Sequence, residues 1–297
     1  MVQKAQRILI APHIKPDGDA LGSALGLKLV LNKLGCQVEV VCLDAAPDQF
    51  SFLPQFYNIK ADFKPQDFDM VILIDCGDWT RTGFFEDTEL NIDWPNELAV
   101  IDHHHIQKLT SGLHIIDDKA SSASELVYRI IKEWGIELNY EIATCLLTGL
   151  ITDTGSFQHT NTTSEVLNIA GDLMGYGANL NKITKYVFAD KALNRLRFWG
   201  KILAGLEYNE EWDIVVGMVD SHDFEAFRTA PADLEGLIDF LRMVPEASAV
   251  ALVSEREEGK YKISFRTEQP NVDVSRLAKL FGGGGHVKAA SAYLPKF

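Results

Sequence analysis

Hydrophobic positions in the first half of the chain form short runs separated by longer amphipathic stretches. The runs are rich in β-branched residues and bounded by polar ones, a pattern typical of strands buried on both faces of a parallel sheet. The stretches between them carry apolar residues every three or four positions, the spacing of a helix with one buried face. The predicted strands are residues 8–10, 38–41, 70–74 and 98–101.

Local signals set the ends of the predicted helices. The first helix covers residues 20–34 and is followed by Gly35, a residue type that commonly ends helices. Ser122 and Glu125 have the spacing of a capping box, which predicts a helix running to about Trp134. Strands and helices in alternation predict an α/β domain whose parallel sheet has helices on both faces. Further helical spacing is found up to Leu150 and at residues 164–174.

The pattern changes after about residue 190. A polar-faced helical stretch at 190–206 is interpreted as a linker between a first domain, 1–189, and a second, 207–297. Shorter strands and helices follow, and a helix at 274–281 ends in a run of glycines, which predicts a second, smaller α/β domain. The predicted strands of this second domain are residues 213–219, 247–254 and 261–266.

Length and charge narrow the classes of function. A chain of 297 residues is long enough for two domains with their own cores. It has 28 Lys and Arg against 42 Asp and Glu, a formal net charge of −14. Long nucleic acid is bound through counterion release by basic side chains, so this balance argues against such a partner. A short phosphorylated ligand held at one point stays compatible with it.

The sequence also gives an expectation about compartment. The cysteines Cys36, Cys42, Cys76 and Cys145 lack zinc-type pairing and even spacing, as expected for reduced thiols. No apolar stretch approaches the ~18 residues of a membrane helix, and the start of the chain lacks a signal-peptide core. We therefore expect a cytoplasmic protein without a membrane partner. Homodimer formation is left open.

Acidic and histidine side chains follow three of the predicted strands, and one more aspartate follows a helical stretch. Because the carboxyl ends of parallel strands meet at one edge, we expect these groups to gather there. Each alone has an ordinary explanation, such as a helix cap, but several uncompensated carboxylates at one edge would be costly to bury. Nitrogen and oxygen donors without thiolate suit Mn²⁺, and the set is large enough for two ions that share a carboxylate, as in phosphoesterases. The groups are His13, Asp17, Asp19, Asp75, Asp102, His103, His104 and Asp153.

These motifs resemble those of the DHH phosphoesterase superfamily. His13-x-x-x-Asp17-x-Asp19, the strand-end Asp75, the Asp102-His103-His104 triplet and Asp153 look like its four signatures. Gly282-Gly283-Gly284-Gly285-His286 looks like the signature of the DHH-associated domain. The resemblance covers residues 8 to about 293. Within the superfamily, the chain is most similar to bacterial nanoRNase and 3′,5′-adenosine bisphosphate (pAp) phosphatase proteins.

The resemblance implies a site with two Mn²⁺ ions bridged by Asp75. His104 is expected to act on the substrate phosphate or the bridging carboxylate, and Asp102 to orient a neighbouring histidine. His105 is given no role. The implied ligands are His13, Asp17 and Asp75 for one ion, and Asp19, Asp75, His103 and Asp153 for the other.

The resemblance also implies a substrate-binding site in the second domain. Glycines can bring backbone N–H groups close to an anion, and arginine can bind phosphate through two hydrogen bonds. Two positions depart from the family pattern. Gln158, followed by His159, stands where many members have arginine, and Ser291 stands in place of a common alanine; we expect both to tune substrate fit. The implied substrate-binding residues are Arg266, Gly283, Gly284, Gly285 and His286.

The function implied is Mn-dependent hydrolysis of phosphate esters by a water activated between two metal ions. Short oligoribonucleotides (nanoRNA), linear dinucleotides and pAp are the expected substrates. One alternative within the superfamily is a cyclic di-AMP phosphodiesterase. A processive single-strand DNA exonuclease is a weaker one, because the chain is acidic. From a different class, the alternative is a non-catalytic nucleotide sensor that has kept the metal pocket.

Overall fold

The computed structural model describes residues 5–84, 97–104, 112–189, 192–234, 236–241, 244–256 and 259–294. His105 lies outside these ranges. The chain divides into two compact units, Met1–Asp190 and Lys191–Phe297. Among the described residues, no helix combines the length and the hydrophobicity that a membrane span needs.

A five-stranded sheet forms the centre of the first unit. Its strand order is β2-β1-β3-β4-β5, and every neighbouring pair is parallel. The four strands predicted from the sequence are confirmed, and the edge strand β5 is an addition. β5 was not predicted because it is only partly buried and lacks a continuous apolar run. The strands are β1 Arg7–Ala11, β2 Gln37–Val40, β3 Met70–Ile74, β4 Glu97–Asp102 and β5 Leu113–Ile116.

Helices cover one face of this sheet. Ile8, Ile10, Ile72 and Ile74 point to that face and share one core with the helices. On the other face, the described residues that cover the sheet come from turns and loops, among them Phe68, so a helical layer is seen on one face only within the described ranges. The helices are α1 Gly18–Lys33, α2 Ala123–Glu133, α3 Tyr140–Asp153, α4 Ser164–Gly175 and α5 Leu180–Thr184.

Close contact between α1 and α3 fixes two of the elements that carry acidic residues. Gly22 of α1 faces the backbone of α3, and a Cβ built there would lie 2.4 Å from the carbonyl oxygen of Cys145. Gly26 makes a similar approach to Leu146. A larger side chain at Gly22 would force the two helices apart, because the opposing atom is backbone and cannot rotate away. The start of α1 and the end of α3 are therefore held in register.

The second unit is built on a mixed sheet of order β10-β11-β9-β8-β7-β6. Its neighbours pair antiparallel except for β7 and β8, which are parallel. The three predicted strands are confirmed, and the α/β fold class is confirmed for both parts of the chain. The strands are β6 Glu207–Asn209, β7 Ile214–Val219, β8 Ala249–Glu255, β9 Tyr261–Arg266, β10 Gly284–Gly285 and β11 Ala289–Leu294.

Helices lie on both faces of the second sheet. The helix α6 falls within the stretch interpreted as a linker, yet its residues Phe198 and Ile202 are buried in the core of this unit. Val274 and Ala278 of α9 are buried against the opposite face. Residues 193–204 thus contribute to the core of the second unit. The helices are α6 Leu193–Ala204, α7 Ser221–Phe227, α8 Leu237–Leu241 and α9 Val274–Leu280.

Candidate metal centre

The carboxyl ends of β1, β3 and β4 meet at one edge of the first sheet. Asp75 directly follows β3 and is 1% exposed, and its backbone N–H donates to Ile101 O at 2.9 Å. Its φ of 52° is in the left-handed region, which costs about 1–3 kcal/mol for a residue other than glycine. The fold thus holds this carboxylate at the edge in spite of backbone strain.

Asp75 takes part in a first cluster with His13 and Asp17. His13 Nε2 lies 3.4 Å from Asp75 Oδ2 and 3.9 Å from Asp17 Oδ2. The other ring nitrogen, Nδ1, is 2.7 Å from Ile14 O, so it carries the proton and leaves Nε2 directed at the carboxylates. Asp17 caps α1 through Oδ1, which accepts from the N–H groups of Asp19 and Ala20. One oxygen of each carboxylate is therefore left facing His13.

A second cluster joins Asp19, His103 and Asp153. His103 Nε2 lies 3.1 Å from Asp153 Oδ2, 4.0 Å from Asp19 Oδ2 and 3.4 Å from Asp75 Oδ1. Asp75 therefore reaches both clusters: its Oδ2 faces His13 of the first cluster, and its Oδ1 faces His103 of the second.

Asp19 is fully buried, and burial of its negative charge would be costly without compensation. Its two oxygens accept the backbone N–H groups of Ala123 at 2.6 Å and Ser124 at 2.9 Å, at the start of α2. The N-terminus of a helix stabilises a negative charge placed there. Gly149 of α3 leaves room for the same carboxylate, since a Cβ at Gly149 would lie 2.4 Å from Asp19 Oδ1.

His104 points differently from His103. Its Nδ1 lies 2.8 Å from Asp102 Oδ1, and its backbone N–H donates to the same oxygen at 3.0 Å. A carboxylate can only accept, so Nδ1 carries a proton and Nε2 points away from Asp102. The side chain of His104 is 41% exposed, against 12% for His103. Asp102, which is fully buried, thus orients a histidine that faces the solvent side of the cluster.

The charges of the cluster shift the titration of its members. Burial alone would lower the pKa of His103, but the carboxylates of Asp153, Asp75 and Asp19 raise it to about 11. Burial would likewise lower the pKa of His13, and Asp75 and Asp17 raise it to about 9. Burial would raise the pKa of Asp75, yet His103 and His13 hold it well below the usual range. The carboxylates therefore attract positive charge to this edge of the sheet.

The donor set fits divalent cations. Asp75 Oδ1 and His103 Nε2 are buried, and none of their contacts with the described residues has hydrogen-bond geometry. Burial raises the pKa of the Cys76 thiol to about 12, and its Sγ contacts Asp78 O, so no thiolate is offered at neutral pH. Imidazole nitrogen and carboxylate oxygen are left as donors, and these suit borderline-to-hard ions.

Comparison with known proteins gives the family of this chain. A model of the DHH family N-terminal domain matches residues 7–150, and a model of the DHHA1 domain matches residues 215–296. The bifunctional oligoribonuclease and PAP phosphatase NrnA of Thermus thermophilus is 32% identical over 290 residues, which covers 97% of this chain and 84% of that protein. The chain belongs to the DHH family. The predicted family membership is therefore confirmed.

Two further proteins resemble this DHH protein over nearly its whole length. The protein of the same name from Bacillus subtilis is 28% identical over 291 residues, covering 96% of this chain and 88% of that protein. The crystal structure of an exopolyphosphatase-related protein from Bacteroides fragilis superposes with a TM-score of 0.91 at 27% identity, covering 100% of this chain and 89% of that one. The agreement in fold extends to both units of the chain.

In the second unit of this DHH protein, the expected substrate-binding residues lie on both sides of β11, with Arg266 at the end of β9 and Gly284 and Gly285 forming β10. Ala289 of β11 pairs with Arg266 of β9, and the N–H of His286 donates to Ala289 O at 2.8 Å. Gly283 and Gly285 are explained by packing, because a Cβ on either would collide with β11. Gly284 is exposed, and a Cβ there would meet no atom within 4 Å. The fold itself therefore does not require glycine at position 284.

Near the centre, sequence reasoning missed Arg81 and Asn161, and it named His159 only as a departure from the family pattern. Arg81 lines a pocket of about 290 Å³ together with His13, Ile14 and Thr80. The feature of the sequence that could have indicated Arg81 is a basic residue shortly after the third strand, in a chain with a net negative charge. His159 and Asn161 both contact the backbone carbonyl of Asp153. No local pattern reveals those contacts, because they depend on how the chain turns after α3.

We predict that divalent ions bind this centre more tightly as the pH rises. With pKa values raised to about 9 and 11, His13 and His103 hold protons at pH 7, and an ion that takes their nitrogens must displace those protons. Raising the pH from 6.5 to 8.5 therefore strengthens the binding of the ion. Calorimetric titration with Mn²⁺ in two buffers of different ionisation enthalpy measures the protons released. Equal heats in both buffers would contradict the prediction.

Proposed function

We propose that this DHH protein hydrolyses phosphate esters of short nucleotides, namely oligoribonucleotides of a few residues, linear dinucleotides and pAp. It is a phosphoric ester hydrolase, as are its relatives named as bifunctional oligoribonucleases and PAP phosphatases. The observation that carries the proposal is the position of Asp75, which faces His13 with one oxygen and His103 with the other. Two donor clusters that share one carboxylate are suited to a pair of ions acting on one phosphate.

The two clusters offer the residues that would hold the ions. Mn²⁺ is the proposed ion, because imidazole and carboxylate without thiolate match its preferences. Bound there, two ions would polarise the phosphate oxygens and lower the pKa of a water molecule to near neutrality. One ion would take His13, Asp17 and Asp75, and the other Asp19, Asp75, His103 and Asp153.

His104 is proposed to act on the substrate. Asp102 holds the proton on Nδ1 and fixes the ring of this partly exposed side chain, so Nε2 is left to contact a phosphate oxygen or the leaving group. A histidine in this position can bind an oxygen that becomes more negative during the reaction, or supply a proton to it. Asp102 contributes through His104 as a positioning residue.

The second unit is proposed to bind the phosphate at the end of the substrate. Gly284 gives an exposed backbone without a side chain and pairs with Ser291 of β11, and His286 follows in sequence. Arg266 pairs with Ala289 on the other side of the same strand. Backbone N–H groups together with an arginine form a typical phosphate site. In the first unit, Arg81 and the exposed Ile14 line the pocket beside His13 and offer a cation and an apolar surface to a nucleotide.

A panel assay tests the function. Purified protein with Mn²⁺ is given pAp, the dinucleotide pApA, RNA of two to ten nucleotides and cyclic di-AMP. We expect turnover of the linear substrates and of pAp; the relatives named above do not favour the cyclic compound. Binding without turnover of any substrate would instead support a nucleotide sensor and contradict the proposal.

The first prediction from the proposed function concerns the carboxylate of Asp75, which the two clusters share. Asp75→Asn keeps the size of the side chain and tolerates the left-handed φ, but removes the charge that reaches both clusters. We expect this variant to lose tight binding of both ions and essentially all activity, as measured by Mn²⁺ titration and by hydrolysis of pAp. The matched control is Asp62→Asn, at an exposed carboxylate that belongs to neither cluster. Two ions still bound tightly to Asp75→Asn would refute the bridging role.

The second prediction separates the two histidines. His104→Asn keeps an N–H donor for Asp102 and removes Nε2, so metal content is expected to stay unchanged. Turnover of pAp is expected to fall about 10²–10⁴-fold, the usual effect of losing an acid–base or electrostatic group. His103→Asn, by contrast, is expected to lose an ion. If His104→Asn loses an ion and His103→Asn does not, the proposed roles are exchanged.

The third prediction concerns the terminal phosphate. Arg266→Met and His286→Asn are each expected to raise KM for pAp and to lower kcat/KM about ten- to a hundredfold, the value of a charge-assisted hydrogen bond. Bis-p-nitrophenyl phosphate, which has no terminal phosphate, should be much less affected. Arg276→Met, on the exposed side of α9, is the matched control. Equal losses on pAp and on the mimic would show that these residues shape the catalytic centre instead.

A further inference from the structure

The segment after Asp153 has an unusual backbone. Gly155, Ser156 and Phe157 have successive φ values of 55°, 59° and 65°, all in the left-handed region. For Ser156 and Phe157, which carry side chains, this conformation is unfavourable, so the surroundings must impose it. This strained turn directly follows Asp153, a proposed metal ligand. The strain is understandable if the turn brings particular side chains into place beside that ligand.

The turn folds His159 back onto the end of α3. A Cβ built on Gly155 would lie 2.3 Å from His159 Nε2, so the imidazole ring rests directly on that glycine. His159 Nδ1 lies 3.0 Å from Asp153 O, and because a carbonyl can only accept, Nδ1–H is the donor. The N–H groups of Gln158 and His159, each 2.9 Å from Thr154 O, hold the turn in this shape.

Asn161 connects Asp153 to a different element. Its side-chain Nδ2 donates to Asp153 O at 3.3 Å and to Ser121 O at 3.1 Å. Ser121 precedes α2, the helix whose first N–H groups bind the Asp19 carboxylate. A residue that only capped the end of α3 would have no need of this second contact.

We propose that His159 and Asn161 are positioning residues for the cluster of Asp19, His103 and Asp153. They act on Asp153 through its backbone carbonyl, and Asn161 also sets the distance between the end of α3 and the start of α2. The two carboxylates of this cluster are thereby held at a fixed separation before an ion binds. The inference rests on the proposed two-ion function.

The test measures Mn²⁺ binding without substrate, by titration calorimetry and by the electron paramagnetic resonance signal of free Mn²⁺. His159→Phe keeps a ring on Gly155 and removes the donor. His159→Asn places an amide N–H where Nδ1–H was. Loss of such a supporting hydrogen bond typically weakens metal binding about ten- to a hundredfold. We expect that loss for one ion in His159→Phe, and near-normal affinity in His159→Asn.

Double variants identify the affected ion. In an Asp17→Asn background, the remaining tight ion reports on the second cluster, and adding His159→Phe should weaken it. In an Asp153→Asn background, His159→Phe should have little further effect, because the residue that it positions no longer binds the ion. Asn161→Leu is expected to resemble His159→Phe, and Thr160→Ala, an exposed neighbour, to behave as wild type.

The outcomes separate this inference from the proposed function. A wild-type protein that binds fewer than two ions would contradict the two-ion function itself. If wild type binds two ions, unchanged affinities in both His159→Phe and Asn161→Leu would overturn the positioning role. Equal weakening of both ions, or the same weakness in His159→Asn as in His159→Phe, would also overturn it, since either result indicates general disturbance of the fold. The melting temperature of each variant, measured with a chelator present, reports such disturbance directly.

Discussion

Repulsion among carboxylates gathered at one edge of the sheet is the constraint on which the first unit depends. Asp17, Asp19, Asp75 and Asp153 converge on a small region, where Asp19 and Asp75 are buried, Asp153 is half-buried and Asp17 is exposed. Their negative charges are unfavourable so close together without compensation, most of all the two that are buried. Two kinds of group compensate these negative charges: backbone N–H groups at the starts of α1 and α2, and the imidazoles of His13 and His103. These use only part of the available oxygen lone pairs. In each cluster the ligand atoms lie within 4.8 Å of one another, an arrangement that suits divalent cations.

The scaffold explains how residues distant in sequence can meet so closely. A parallel sheet ends several strands at one edge, which gathers His13, Asp75 and the residues after β4. The helices then supply the rest, and glycines set their approach: Gly22 lets α1 contact α3, and Gly149 lets α3 pass over the Asp19 carboxylate. Rigid elements hold metal ligands more accurately than loops do.

The sequence predicted those strands and candidate site residues that depend on a local pattern of neighbouring residues. The strands β1 to β4 could be predicted because apolar runs are local, and most of the candidate ligands were found because they follow those runs. Asp153, at the end of α3, follows a helical stretch instead. The edge strand β5 could not, since a half-buried strand leaves only a weak pattern. The support of Asp19 by Ala123 spans 104 residues, and the contact of Asn161 with Ser121 spans 40. Such partners are set by tertiary packing, and no spacing rule in the sequence encodes them.

The proposed division of roles along the chain would account for the range of proposed substrates. All the proposed metal ligands belong to the first unit, whereas Arg266, Gly284 and His286 belong to the second. A dinucleotide with a terminal phosphate and pAp share two features: a phosphate ester to be cleaved and a second phosphate to be bound. A centre that acts on the phosphorus through ions makes few demands on the leaving group. Under this proposal, discrimination would fall to the residues proposed to bind the second phosphate, which would allow both a diester and a monoester as substrates.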